Sequence, residues 1–344
     1  MRGKNNAVIK KRQGILIPCF MEKKMKYLNL ALAIIFITTV SCYIKFEDSF
    51  KMKPGTVNLS GLNCEYDDYN ATVVTYQCNS YNIMYSTKYK SKGKDFDIFS
   101  GNIQFWIYKS DSSNISSKRG SEITSMNSDS NELGPIYIDY YKCFASDRKI
   151  DATDLTNDLN IFIDYYFNGV SLFGGNTPNY DEAYPCYDRE NKILYYCTNK
   201  DGDFNIYQCK NDSTSDLITW LKNPEIAIKS TPVNILNSPK DDKCPYIFGD
   251  YIYFVSDRDG TMGGFDIYYS KRDETGEFST PVNAGGPINT SHDEYRVSCY
   301  YYYNPSSISE SPDFLIYSSN RPGGKGGFDL YLSVIKEIKI KEPR

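Results

Sequence analysis

One short pattern of residues occurs five times along this 344-residue chain, and it limits the fold more than any other feature. The clearest copies are Tyr253-Phe-Val-Ser-Asp-Arg258 followed by Gly263-Gly-Phe-Asp-Ile-Tyr268, and Ile316-Tyr-Ser-Ser-Asn-Arg321 followed by Gly326-Gly-Phe-Asp-Leu-Tyr331. Two looser copies are Tyr195-Tyr-Cys-Thr-Asn-Lys200 with Asp203-Phe-Asn-Ile-Tyr207, and Met84-Tyr-Ser-Thr-Lys88 with Asp95-Phe-Asp-Ile-Phe99. A degenerate fifth is Cys143-Phe-Ala-Ser-Asp-Arg148 with Asp158-Leu-Asn-Ile-Phe162. The residue at the phenylalanine position of the second half marks each copy at 96, 159, 204, 265 and 328, in steps of 63, 45, 61 and 63 residues.

Each copy reads as strand, turn, strand. The first half is an apolar run closed by Ser or Thr and a basic residue. The turn is rich in Gly or Asp, and Gly323-Gly324 and Gly326-Gly327 permit the positive φ angles that tight hairpins need. In Phe-Asp-Ile-Tyr the period is two, so Phe and Ile share one face and Asp and Tyr the other. The chain also holds 32 Tyr and 18 Phe, types that favour pleated, half-buried surfaces. A repeat of this length and texture suits one four-stranded blade of an all-β propeller.

In the fourth copy the four strands are expected near residues 243–248, 250–256, 264–271 and 277–285. The fifth copy reaches only its third strand, Phe328–Leu332, before the chain ends. Gly55-Thr-Val-Asn-Leu59 is similar to Thr231-Pro-Val-Asn-Ile235, so residues 54–60 are expected to supply the missing outer strand and close a ring of five blades. If Ile335–Ile340 formed that strand instead, residues 54–60 would be free to start a sixth, partial blade. Residues 110–132 read as a polar excursion after a strand Ile103–Lys109. Residues 211–223, around Trp220, read as a short helix with Ser/Thr/Asp capping types at its start. The Tyr300–Tyr303 run falls in an inner strand, where its expected role is packing between blades.

Acidic pairs recur just before the first strand of a blade: Asp181-Glu182, Asp241-Asp242 and Asp293-Glu294. Arg258 and Arg321 recur with them and are natural bidentate partners. These eight residues are the candidate site, either as staples between hairpins or as a ring of ligand-binding carboxylates. Two further fragments, Asn199-Lys-Asp-Gly-Asp203 and Asp257-Arg-Asp-Gly260, carry the acidic-glycine texture of calcium loops. Both fall in turns, where Asp and Gly are already expected, so no metal is assigned.

The pairing of Ser-Asn-Arg321-Pro-Gly-Gly with Gly-Phe-Asp-Leu-Tyr331 resembles the WD40-like β-propeller repeat of TolB and of many Bacteroidetes-type lipoproteins. Thr231-Pro-Val-Asn234, Thr280-Pro-Val-Asn283 and Ile288-Asn-Thr-Ser-His-Asp-Glu294 match the linker between such repeats. The resemblance covers residues 54 to 334 and is weakest in the second copy. It implies a propeller fold and an envelope compartment, and it names no ligand.

The beginning of the chain reads as an address. Lys23, Lys24 and Lys26 precede an apolar run from Leu28 to Val40, which ends in Thr39-Val-Ser-Cys42. That is the layout of a secretory signal, and the run is short for a membrane span of roughly 20 residues. The cysteine after a small residue resembles a lipobox, which implies cleavage before Cys42 and a lipid on its thiol. The expected organisation is a signal region over 1–41 with its true start at Met21 or Met25, a lipidated tether over 42–53, the propeller over 54–336 and a tail over 337–344. Export permits disulfides among the remaining cysteines. Cys64–Cys78, which closes a short loop, is the one pairing suggested.

The chain has one histidine, His292. A multi-histidine zinc centre cannot be built from it, and its place in a repeat linker argues against a catalytic triad. The net charge of −4, with mixed signs, offers no footprint for nucleic acid. No cofactor is implied. The expected function is a non-catalytic binding or scaffold module of the cell envelope, held at a membrane, the outer one above all, by its N-terminal lipid. Its expected partners are an envelope protein or a glycan. The alternative is a glycosidase working through Asp/Glu pairs, which would need two carboxyls about 5–10 Å apart across an open pocket.

Overall fold

The computed structural model describes residues 50–52, 54–77, 80–107, 113–153, 155–165, 169–300, 312–335 and 338–340. The expected signal region and Cys42 lie outside the described residues, as do Cys78 and Tyr301–Tyr303.

Strands β1 (Phe50–Met52) and β2 (Gly55–Asn58) come first. Blade 1 is β3 (Asp68–Gln77), β4 (Ser80–Thr87), β5 (Asp97–Ile107) and β6 (Ser113–Glu122). Blade 2 is β7 (Glu132–Ile138), β8 (Tyr141–Ser146), β9 (Asn160–Asp164) and β10 (Val170–Leu172). Blade 3 is β11 (Glu182–Asp188), β12 (Ile193–Asp201), β13 (Asp203–Lys210) and β14 (Thr231–Pro232). Blade 4 is β15 (Asp242–Phe248), β16 (Tyr251–Ser256), β17 (Asp266–Lys271) and β18 (Val282–Asn283). Blade 5 takes β19 (Glu294–Tyr300), β20 (Phe314–Ser319) and β21 (Asp329–Val334) from the end of the chain and β2 from its beginning. The fold is an all-β, five-bladed propeller.

The closure is specific. Strand β2 runs antiparallel to β21, with Gly55 opposite Val334 and Asn58 opposite Tyr331. Thr56 and Ser333 share a hydroxyl hydrogen bond of 2.7 Å, and Asn58 Nδ2 donates to Asp329 Oδ2 at 2.9 Å. The pairing covers an edge of β21 that would otherwise template aggregation. The competing strand near the C-terminus, β22 (Ile338–Ile340), pairs with β1 in a separate two-stranded ribbon, so no sixth blade forms.

Each inner strand packs against the next around the ring, in the order β3, β7, β11, β15, β19 and back to β3. The apolar core lies between blades. Tyr81, Tyr85 and Phe105 of blade 1 meet Phe314, Ile316 and Leu332 of blade 5 across the closing seam. Tyr300 packs there too, with ring centroids 5.4 Å from Tyr76 and 5.5 Å from Tyr81.

One expectation needs correction, and another is met in a shorter form. Residues 110–132 are not an excursion: Ser113–Glu122 is the outer strand of blade 1, paired with β5. An outer strand pairs through its backbone and faces water, so its side chains can be Ser, Asn and Lys throughout. The helix around Trp220 is one short turn, α1 (Leu217–Leu221), capped by Asp216, and a second, α2 (Glu225–Lys229), follows it. The second was missed because Pro224 reads as a breaker, although proline fits the start of a helix. Among the described residues no helix is long and apolar enough to cross a membrane.

Candidate functional site

The second acid of each repeat opens an inner strand. Asp68, Glu132, Glu182, Asp242 and Glu294 are all fully buried. One oxygen of each accepts a backbone N–H from the loop just before it: Cys64 (2.6 Å), Ser128 (3.2 Å), Thr177 (2.8 Å), Ser238 (2.5 Å) and Thr290 (2.8 Å). In three blades the other oxygen meets a guanidinium: Arg148 to Glu132 at 2.9 Å, Arg258 to Asp242 at 2.5 Å, and Arg321 to Glu294 at 3.0 Å. The same arginines bond the carbonyls of Met126, Leu236 and Ile288. Each also sits about 5 Å from two aromatic rings of its own blade, such as Phe254 and Tyr268 for Arg258. The arginine therefore clamps a loop to the start and end of one blade's inner hairpin.

Blades 1 and 3 lack that arginine. In blade 3 the position is Lys200, whose ammonium lies 4.1 Å from the Tyr207 ring. Burial then dominates and pushes Glu182 up to about 7. In blade 1 the position is Tyr89, and a guanidinium arrives from the outer strand instead. Arg119 stacks on Tyr89 at 3.9 Å and bonds the Leu62 carbonyl, the counterpart of Leu236. It does not reach Asp68, whose carboxyl burial raises to about 6.

The first acid of the pair has a different task. Asp67, Asp181, Asp241 and Asp293 each accept the N–H of the marker residue in the preceding blade. The donors are Phe328 (3.1 Å), Leu159 (2.7 Å), Phe204 (3.0 Å) and Phe265 (2.9 Å). In blade 2 Asn131 does the same for Phe96 at 3.1 Å. So the link between blades is made by the first acid, and the arginine joins elements of one blade. Asn199 and Asp257, the calcium-loop candidates, are spent capping Asp181 and Asp241. His292 lies in the linker with its backbone N–H on Thr290 Oγ1.

A second inter-blade device was not foreseen. An asparagine in every linker folds its amide against the third strand of the preceding blade and bonds both N–H and C=O of one residue. The pairs are Asn63 with Leu330, Asn127 with Ile98, Asn176 with Ile161, Asn237 with Ile206 and Asn289 with Ile267. The signal was present in the sequence: an Asn five residues before the second acid in four copies, and six before it in blade 3. Asp67-Asp68 and Asn131-Glu132 are likewise members of the set that were not picked out.

Toward the axis the ring is closed. Tyr69 and Tyr295 sit 5.6 Å apart, with Phe96 and Phe328 around Tyr69 and Phe265 and Tyr184 around Tyr295. Tyr184 belongs to blade 3 and Tyr295 to blade 5, so this cluster spans the centre. Lys243 is 4.3 Å from the Phe204 ring while it pairs with Asp241 at 2.6 Å. Arg296 lies buried at the axis with its Nη2 on the Pro135 carbonyl, and burial works against its charge. The fivefold pattern is broken at the outer side of blade 3. There α1 and α2 frame a groove of about 430 Å³ lined by Lys210, Asp212, Asn223, Glu225 and Lys229.

All seven described cysteines are free and buried, Cys64 among them. The described residues hold no group of three side chains placed to ligate a metal.

No family model matches the chain, and no curated protein matches it. Solved structures do resemble it. A TolB from Acinetobacter baumannii is 10% identical, over 76% of this chain and 55% of that one, with a TM-score of 0.33. An α-L-arabinofuranosidase from Podospora anserina is 7% identical, over 83% and 96%, with a TM-score of 0.45. A family 117 glycoside hydrolase from Zobellia galactanivorans is 11% identical, over 83% and 91%, with a TM-score of 0.42. The likeness is one of fold alone.

Proposed function

We propose that the chain is a lipid-anchored protein of the cell envelope, of the Bacteroidetes repeat-lipoprotein type, whose propeller binds or scaffolds a partner without chemistry. Cys42 carries the lipid, and the membrane is the outer one, on its periplasmic side or at the cell surface. The observation that supports this most is the fate of the recurrent carboxylates. All five second acids are fully buried, and every first acid is tied to the neighbouring blade's backbone. A glycosidase pair must face an open pocket with room for a sugar and a water.

What remains for a partner is the outside. Strand order places the loops after the second strand and before the first strand of each blade on one face. Tyr89, Leu155, Tyr180 and Met262 protrude from those loops, between 40% and 89% exposed. Exposed aromatic and large apolar side chains grouped on one face suit a protein or a glycan. The test is binding of purified envelope proteins and glycans to the exported chain, with reducing-sugar release measured in parallel. Saturable binding lost in Leu155→Ser and Met262→Ser variants, with no sugar released, supports the reading. Sugar release abolished by one carboxylate change overturns it in favour of the glycosidase.

A further inference from the structure

The third strand of a blade carries its outer strand along one edge, and in four blades that edge is covered to the strand's last residue. Ile107 is paired with Ser113, Asp164 with Val170 and Val334 with Gly55. In blade 4 the Lys271 carbonyl accepts the Ser279 N–H at 2.9 Å. Blade 3 differs. Its outer strand β14 meets only Tyr207 and Gln208. The chain has just left α2 there, and the Ser230 N–H is still bonded to the Ile226 carbonyl at 2.9 Å. Cys209 and Lys210, the last two residues of β13, therefore have no outer strand beside them.

The ladder fixes where their backbone groups point. The Asn211 N–H donates to the Lys192 carbonyl at 2.8 Å, and from the other side the Val233 N–H donates to the Ile206 carbonyl at 2.9 Å. Bonding alternates along an antiparallel strand, so Cys209 turns its N–H and C=O to β12, while Gln208 and Lys210 turn theirs outward. Among the described residues no hydrogen bond reaches the Lys210 N–H. Its carbonyl is approached only by the Cys209 thiol, at 3.9 Å.

The groove of about 430 Å³ opens at this same edge, with Lys210 on one wall and α1 and α2 on the other. Its volume is that of a small-ligand pocket, room for a few residues of extended chain. Trp220 and Ile226 line it and pack with Cys209 in one apolar cluster. Side chains alternate along a strand, so Lys210 projects from the other face, where it is exposed. Among the described residues its ammonium has no carboxylate partner.

We propose that an extended segment of a partner protein enters this groove and adds to β13 as the outer strand that blade 3 lacks at this end. Its residue opposite Lys210 exchanges both main-chain bonds with it. Side chains directly opposite share a face, so that residue lies beside the Lys210 ammonium and is acidic. The residues before and after it turn to the other face, toward Trp220 and Ile226, and are apolar, with β-branched types favoured in extended backbone. A free amino acid or a sugar would leave the strand edge unmet. Strand order places this groove on the face opposite to Tyr89, Leu155, Tyr180 and Met262, so the site goes beyond the surface proposed above and is tested separately from it.

The probe is the capped peptide Thr-Val-Glu-Val-Thr, titrated into the isotope-labelled full chain and followed by amide NMR. Saturable shifts at Lys210 and Trp220 are expected, with slower hydrogen exchange of the Lys210 amide. N-methylation of the central Glu removes the donor to the Lys210 carbonyl and should weaken binding about tenfold. Exchange of that Glu for Lys should weaken it about fivefold, and Lys210→Glu should reverse the preference between the two peptides. Lys210→Pro deletes the outward N–H without breaking the ladder to β12 and should abolish binding; if that variant does not fold, Lys210→Glu carries the test. Leu155→Ser and Met262→Ser should leave the affinity for the peptide unchanged. Lack of saturable binding, equal binding of free glutamate, indifference to N-methylation or no reversal in Lys210→Glu overturns the proposal and leaves the surface on the opposite face standing.

Discussion

Thr198 Oγ1 donates to Glu182 Oε1 at 2.8 Å, and no guanidinium joins them. In blade 4 the same register position, Ser256 opposite Asp242, is overlaid by Arg258. One missing arginine therefore leaves a buried carboxyl whose ionised form the fold disfavours. Because Glu182 binds its proton more tightly when folded, its contribution is full below about pH 4.5, its unfolded range. It is lost as pH rises toward about 7. Glu182→Gln is expected to flatten the stability–pH profile across that window and to be the more stable form at pH 8. The gain there should be about 2–3 kcal/mol at most. Urea unfolding at pH 5 and pH 8 checks it, and an unchanged slope would count against the assignment.

The complementary change is Lys200→Arg. It supplies blade 3 with the clamp that blades 2, 4 and 5 already have. Glu182 should then titrate lower, and the protein should gain roughly 1 kcal/mol or more at pH 8. Carboxyl titration by NMR of the variant reads the first effect directly.

Removing a clamp should be severe. Arg258→Met leaves Asp242 buried with its charge unpaired, a loss of about 3–5 kcal/mol. Arg258→Met with Asp242→Asn should recover much of it, because the stranded charge is gone. A double-mutant cycle in urea measures the coupling.

The linker asparagines predict a local effect. Asn289 Oδ1 takes the Ile267 N–H at 2.9 Å, and its Nδ2 returns to the Ile267 carbonyl at 2.8 Å. Asn289→Ala leaves both groups unmet at the seam of blades 4 and 5, a loss of about 1–3 kcal/mol for each group left unsatisfied. Hydrogen exchange of the Ile267 amide should speed up more than that of amides in blades 1 and 2.

The thiols give a fifth check. Burial pushes Cys186 up to about 11 and Cys197 to about 12. A thiol-specific reagent at pH 8 should leave the seven described cysteines unlabelled until the protein is unfolded. Peptide mass spectrometry would resolve each position.

The architecture could be read from the chain because a propeller repeats its chemistry. Phe265-Asp-Ile and Phe328-Asp-Leu announce a third strand, and Gly55-Thr-Val-Asn58 carries the texture of an outer strand. Outer strands without apolar alternation, such as Ser113–Glu122, were hidden because backbone pairing alone holds them. The acid pairs were visible, but their division of labour was not. Asp241 and Asp242 are adjacent in sequence and alike in chemistry, yet one reaches the neighbouring blade and the other its own loop. Arg296 was invisible as a special residue. Nothing in Tyr295-Arg-Val297 distinguishes it from a surface arginine until the ring brings Gly134 opposite.

The seam between β2 and β21 makes the two ends of the propeller neighbours in one sheet. Seen from inside the ring, no blade comes first. The point at which the covalent chain opens is one of five equivalent joints between a third strand and its outer strand, four of them covalent connections and the fifth this seam. A permuted gene that joined the old ends by a short loop and opened a linker elsewhere should yield the same disc. During synthesis the consequence runs the other way: β2 has to wait, unpaired, for the blade that emerges last.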